Sequence, residues 1–298
     1  MSRAARGSFG GLRPATPQQV RQKQTNPYYR LPGRGYGFYV AAMSWWLLPL
    51  FALTALLYAS VGFGGGSTYT ALLTLTDLDH KTLPLVSLVC NLLVTTASVW
   101  HFHRQKLYRA REMLTILALS VPASFLGGVT PIDRSTFLGL LALSLLFAGI
   151  TLLISALRRN ETYEDRGERS RSWIAPIIGG GVGYLSGLVG IGGGIFLAPI
   201  LHHLKWDTPK RIAALASAYI AANSLAALFG KYVAAGNTAA LGAISAYWPL
   251  ALAVILGGAA GRRLMTGLMP ERTVKLATAL LILFVAARLL LKWAGEFS

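Results

Sequence analysis

One cysteine in 298 residues leaves no intramolecular disulfide to form. Cys90 lies inside an apolar run, where a metal ion would lack further ligands, so neither redox chemistry nor a metal centre is expected. Charge is scarce as well. Charged residues make up 13% of the chain, where a soluble domain carries about 25%, which argues against a soluble fold. Acidic residues are scarcer still, 11 against 28 Lys and Arg, for a net charge of +17 and a pI near 10.4. The basic side chains gather at the ends of apolar runs, so they read as loop charges that orient helices, not as a nucleic-acid interface. The apolar runs are continuous and lack the ~10-residue alternating segments of a membrane barrel. What remains is a chain 54% hydrophobic with a mean hydropathy of +0.51, which reads as an all-α integral membrane protein.

Apolar windows fall at about 37–61, 67–76, 82–103, 112–130 and 134–157, and again at 173–190, 194–204, 208–231, 239–261 and 272–293. This gives two internal repeats of about five hydrophobic segments. The second segment of each is a short broken or re-entrant helix, roughly half of the ~20 residues a spanning helix needs. Residues 1–36 are basic and carry no acid, and they read as a disordered tail. Met43, just ahead of the first strong run, offers a second start. The expected organisation is therefore the tail (1–36) and one membrane domain (37–298). That domain comprises repeat one (37–157), a charged linker (158–172) and repeat two (173–293). The tail, Arg104 to Arg111 and the linker are the most basic stretches and should face the cytoplasm. The orientation of the repeats stays open.

The chain is organised around Gly62-Phe63-Gly64-Gly65-Gly66-Ser67 and its second copy, Gly190-Ile191-Gly192-Gly193-Gly194, 128 positions later. The same offset carries Asp79 onto Asp207. Paired, glycine-interrupted, shortened segments in two halves point to a transporter's binding site. A helix that starts inside the membrane leaves backbone N–H groups without partners, and with the positive end of its dipole these suit an anion. Ser67 and Thr68 add hydroxyls in the first copy, where the second has Ile195 and Phe196. Close helix packing through small residues is the competing explanation. Neither copy ends in the GK[ST] of a P-loop.

Asn91 and Asn223 follow the two short segments, 132 positions apart, and are candidate substrate donors or interhelical hydrogen bonders. Ser87 and Ser217 are weaker candidates, and Tyr58 and Tyr184 could gate or simply pack. Asp79 and Asp207 read as helix caps; Asp207-Thr208-Pro209 has the cap acceptor and first-turn proline in order. A proton-coupling role is the alternative. No Asp or Glu lies deep in a long window, although proton-driven pumps often place one there. An anionic or uncharged substrate is favoured over a cation. No histidine pair has zinc-ligand spacing, and there is no Gly-x-Ser-x-Gly elbow or HExxH pair, so an enzyme is not expected.

The duplicated Gly-x-Gly-Gly-Gly after a tyrosine- and serine-bearing helix, then a short apolar helix and a capped polar loop, resembles the TauE/SafE family of membrane permeases. The resemblance runs from about Trp45 to Trp293. It is close over Gly187-Leu188-Val189-Gly190-Ile191-Gly192-Gly193-Gly194 with Pro199 and Leu201. The first half has Ala71 where the offset places Pro199. The resemblance implies export of sulfite or organosulfonates such as sulfoacetate across a bacterial inner membrane. An anion channel, or a permease for another small carboxylate or thiosulfate-like anion, is the alternative. The expected substrate contacts are Gly64, Gly65, Gly66, Ser67, Thr68, Asn91, Gly192, Gly193, Gly194 and Asn223, with no cofactor. The expected partners are a small anion and the lipid bilayer; a homodimer is allowed.

Overall fold

The computed structural model describes residues 45–295 apart from 61, 77, 79, 158–173, 205, 236–243, 246 and 265–270. The expected tail, the charged linker and Asp79 therefore lie outside the described residues. Among the described residues the regular structure is helical throughout. The helices are α1 (Leu47–Ser60), α2 (Gly66–Leu73), α3 (Leu83–Arg104), α4 (Ala110–Val129) and α5 (Arg134–Leu157), followed by α6 (Ile174–Val189), α7 (Gly194–His203), α8 (Pro209–Ala235), α9 (Trp248–Leu264) and α10 (Glu271–Ala294). Five of them, α3, α4, α5, α8 and α10, are long and apolar enough to cross a membrane. Large apolar side chains such as Leu114, Leu126, Phe229, Leu256, Phe284 and Leu291 point outward. A water-facing surface would rarely expose so much apolar area, and lipid accepts it without cost. Trp45, Trp46, Trp100 and Trp248 are exposed near helix ends, where indole rings favour the membrane interface.

Close packing fixes the helix directions, and it relies on missing side chains. A Cβ on Gly183 would lie 2.6 Å from the Ser120 carbonyl, and one on Gly187 2.9 Å from the Gly128 amide, so α4 and α6 run the same way in near backbone contact. Gly257 and Gly261 press on Ala52 and Leu56 in the same manner, which makes α9 parallel to α1. Gly139 meets Trp293 while Gly149 meets Leu283, so α5 and α10 are antiparallel. Small residues at such crossings replace the hydrophobic drive that lipid removes.

Helix ends follow local chemistry. Asp133 opens α5 by accepting from Thr136 N at 2.9 Å and Thr136 Oγ1 at 2.6 Å, and these bonds hold its carboxyl below the usual range. Pro84 sits in the first turn of α3, where its missing N–H costs nothing. Asp207 precedes α8 and accepts from Thr208 N at 2.6 Å. It also reaches Arg109 at 3.4 Å and Arg211 at 3.6 Å, which ties the α7–α8 loop to the start of α4. Both arginines are more than a third exposed, so each pair contributes at most about 1 kcal/mol. Asp207→Asn, which keeps the acceptor, is expected to lower detergent-state stability by less than about 1 kcal/mol. Thermal unfolding checks the stability. Proton-dependent flux checks the alternative role, which a selective loss of proton dependence would revive.

Candidate functional site

Each glycine cluster breaks one helix and starts another, but the two turns differ in backbone. In the first, α1 closes at Ser60, Phe63 N donates to Tyr58 O at 2.9 Å, and only Gly62 is left-handed, at φ 80°. Gly65 caps α2 at φ −92°. In the second, Gly190 N and Ile191 N both fold back onto Ser186 O. Gly190, Gly192 and Gly193 are all left-handed, at φ 77°, 78° and 73°. Only glycine visits that region without strain, so the second turn depends on its glycines by conformation and the first mainly by space.

The two turns meet. A Cβ on Gly66 would lie 2.8 Å from the Ile191 carbonyl. Thr70 Oγ1 donates to Gly66 O at 2.9 Å and to Gly190 O at 3.3 Å, so it bridges both clusters. Ser87 Oγ adds a 2.7 Å bond to Gly66 O. Asn91, midway along α3, completes the junction: its Oδ1 accepts from Gly66 N at 3.0 Å and its Nδ2 donates to Ser224 Oγ at 2.8 Å. Gly192 faces the same Asn91 amide and comes 2.7 Å from Ser224 Oγ at its missing Cβ. All of these residues are buried.

Nine of the ten expected site residues thus fall into three groups. Gly64, Gly66, Asn91 and Gly192 form the junction. Gly65, Ser67 and Thr68 face α1, where Tyr58 OH lies 2.8 Å from Thr68 Oγ1 and 3.4 Å from Ser67 Oγ. Gly193 and Gly194 face Tyr219 and Ile220 of α8. Asn223 stands apart from the junction, on the side of α4, where its carbonyl accepts from Ser124 Oγ at 2.9 Å. Neither atom of its side-chain amide has a hydrogen-bond partner, and Ser120 Oγ, Ser186 Oγ and Tyr69 OH are likewise buried and unpartnered. Each such group costs about 1–3 kcal/mol. Tyr184, one of the two gate candidates, is 40% exposed, and its hydroxyl lies 3.4 Å from Thr130 Oγ1.

Sequence reasoning missed Ser224, Thr70 and Lys231. Lys231 Nζ donates to Leu188 O at 3.0 Å in the last turn of α6, and Lys292 Nζ donates to Thr74 O at 2.7 Å just past α2. A cation suits the negative end of a helix that stops within the bundle. Two cavities flank these contacts and share His80. One, of about 300 Å³, is lined by Arg134, Lys292, Thr74 and Thr76; the other, of about 160 Å³, by Lys81, Lys231 and Thr130. At the opposite end Tyr108 OH pairs with Ser217 Oγ at 3.0 Å. Partial burial pushes its phenol pKa up, and the Ser217 bond opposes that.

The family described as Sulfite exporter TauE/SafE matches residues 47–289. The probable membrane transporter protein y4hK of Sinorhizobium fredii is 31% identical over 176 residues, which cover 59% of this chain and 71% of that protein. No solved structure matches the chain.

Proposed function

We propose a function from one premise: the chain belongs to the TauE/SafE family of membrane transporters. It is a secondary transporter that exports small sulfur-containing oxyanions, sulfite or organosulfonates such as sulfoacetate, across a bacterial inner membrane. The observation that carries this reading is the meeting of the two glycine turns, each on an interrupted helix and buried beside Asn91. Helix N-termini that converge inside a bilayer offer amide donors and positive dipole ends to an anion. Broken backbone is tolerated at that depth only where protein or a wet cavity surrounds it.

Helix directions support two inverted repeats within one membrane domain. α1 descends parallel to α9, and α2 ends beside Lys292 at the close of α10, so α1 and α2 enter and leave by one face. α6 rises parallel to α4, and the loop after α7 returns to Arg109 at the start of α4, so α6 and α7 use the opposite face. Three full crossings then remain per half, and an odd count inverts the second copy. Arg104, Arg109, Arg111, Arg211, Arg262 and Arg263 collect at one end, which makes it cytoplasmic. The start of α1 then lies on the outer face, not on the face of Arg104 to Arg111 as the charges alone suggest. The cavities lined by His80, Lys81, Arg134, Lys231 and Lys292 open the outer side of the path, and basic linings suit an anion leaving the protein.

The buried turns favour alternating access over a standing channel. The test is flux of labelled sulfite and sulfoacetate in proteoliposomes made from the purified protein. Saturable flux, accelerated by unlabelled substrate on the far side, is expected. Absence of anion movement under every imposed gradient overturns the reading, and linear, unsaturable flux converts it to a channel.

A further inference from the structure

We propose that the anion's oxygens are held by a pocket on the α7 side of the junction, built from Asn223, Ser120 and Ser186 around the N-terminus of α7. This inference rests on the transport reading and assigns its site. At the junction itself, Asn91 has both amide groups engaged, and Ser67 and Thr68 share the Tyr58 hydroxyl. The uncommitted polar groups lie one step away. Asn223, Ser120 and Ser186 are each 0% exposed, and neither Asn223 amide atom nor either serine hydroxyl has a partner.

The geometry gathers them. A Cβ at Gly193, the left-handed cap of α7, would lie 3.0 Å from Tyr219 Cε1 and 3.1 Å from Ser186 Cβ. Ser120 and Asn223 both adjoin the Tyr219 hydroxyl, which spends its proton on Gly179 O at 2.6 Å. Tyr219 can then only accept, so Ser120 and Asn223 can each turn one hydrogen to it, and the second Asn223 N–H and the Ser186 hydroxyl remain to face a ligand. The set left for a ligand comprises one N–H of Asn223, the Ser186 O–H and the first amides of a 10-residue helix, with Ser120 holding the Tyr219 side of the pocket. It carries no acid and no fixed positive charge. Such a donor-rich, uncharged cradle fits the oxygens of a sulfite, sulfonate or carboxylate. A cation would meet the wrong end of the helix dipole.

The test is ligand-induced thermal stabilisation of the full-length protein in detergent, with sodium sulfite, sodium sulfoacetate and sodium acetate as probes. Wild type is expected to be stabilised by at least one of them. Asn223→Ala and Ser186→Ala should each raise the half-saturating concentration at least tenfold, and Asn223→Asp more than a hundredfold through charge repulsion. Thr278→Ala removes another buried, unpartnered hydroxyl, in the first half of α10, and should shift it less than twofold. If Asn223→Ala does not accumulate, Ser186→Ala and Ser120→Ala read the same affinity. Unchanged half-saturation in folded pocket variants, with wild type stabilised, overturns the pocket, makes it an internal-water site and leaves the transport reading standing. Wild type untouched by all three probes overturns both.

Discussion

Valine at position 193 abolishes flux while the protein still reaches the membrane. Gly193 sits at φ 73°, and a β-branched residue there is strained by about 1–3 kcal/mol. Space adds to the problem. Its Cβ would come within 3.0–3.2 Å of Tyr219, Ser186 and Val182, and the two methyls beyond it would go further. Overpacking of this kind costs about 1–3 kcal/mol. Together these fall inside the ~5–15 kcal/mol that holds a folded domain, so the chain folds with α7 displaced. A displacement near 1 Å can cost on the order of 100-fold at a positioned site. Gly65→Val should also stop flux, by crowding alone. Its φ is ordinary, but the Cβ would lie 2.6 Å from Tyr69 Cζ, and that ring is pinned by stacking on Phe51 at 4.7 Å. Gly181→Val is the control, since nothing lies within 4 Å of its Cβ. The measurement is substrate flux normalised to protein in the membrane fraction. Full flux in both Gly65→Val and Gly193→Val removes the turns from the mechanism.

Much of the helical layout is legible in the sequence because lipid enforces it. Windows at 82–103 and 134–157 return as Leu83–Arg104 and Arg134–Leu157, since a continuous apolar run bounded by charge has few other ways to be buried. The window at 37–61 yields a described helix only from Leu47, and that at 239–261 only from Trp248. The glycine clusters stand out by duplication. That they touch is not legible, because an offset of 128 says nothing about which faces meet. The asparagines show why. Their spacing of 132 exceeds the glycines' offset of 128 by four residues, and the residue that bonds Asn91 is Ser224, while the Asn223 amide has no partner. Lys231 was hidden for another reason. A lysine reads as the end of a span, yet α8 continues to Ala235 while the flexible stem carries the amine to Leu188 O.

Asn91→Ala is expected to be the most destabilising single truncation at the junction, and its partner identifies why. Among the described residues, this amide is the one side chain that bonds both the first amide of α2 and a residue of α8. Truncation strands the Gly66 N–H and the Ser224 hydroxyl in a buried place, for a loss of about 2–4 kcal/mol. Flux should fall by at least a hundredfold, since the halves no longer move as a joined pair. Ser224→Ala alone should cost about 1 kcal/mol. If the two act through one bond, their effects overlap in the double variant by about 0.5–2 kcal/mol. Asn91→Asp separates the pin from the substrate's electrostatics. A carboxylate can accept from both Gly66 N–H and a rotated Ser224 O–H, so stability should recover relative to alanine, while a negative charge beside the turns keeps anion flux low. Stability is read by denaturant titration in detergent and flux in proteoliposomes. Additivity of Asn91→Ala and Ser224→Ala within about 0.3 kcal/mol would mean that the halves are joined elsewhere, with Thr70 and its bridge to Gly190 O the next bond to break.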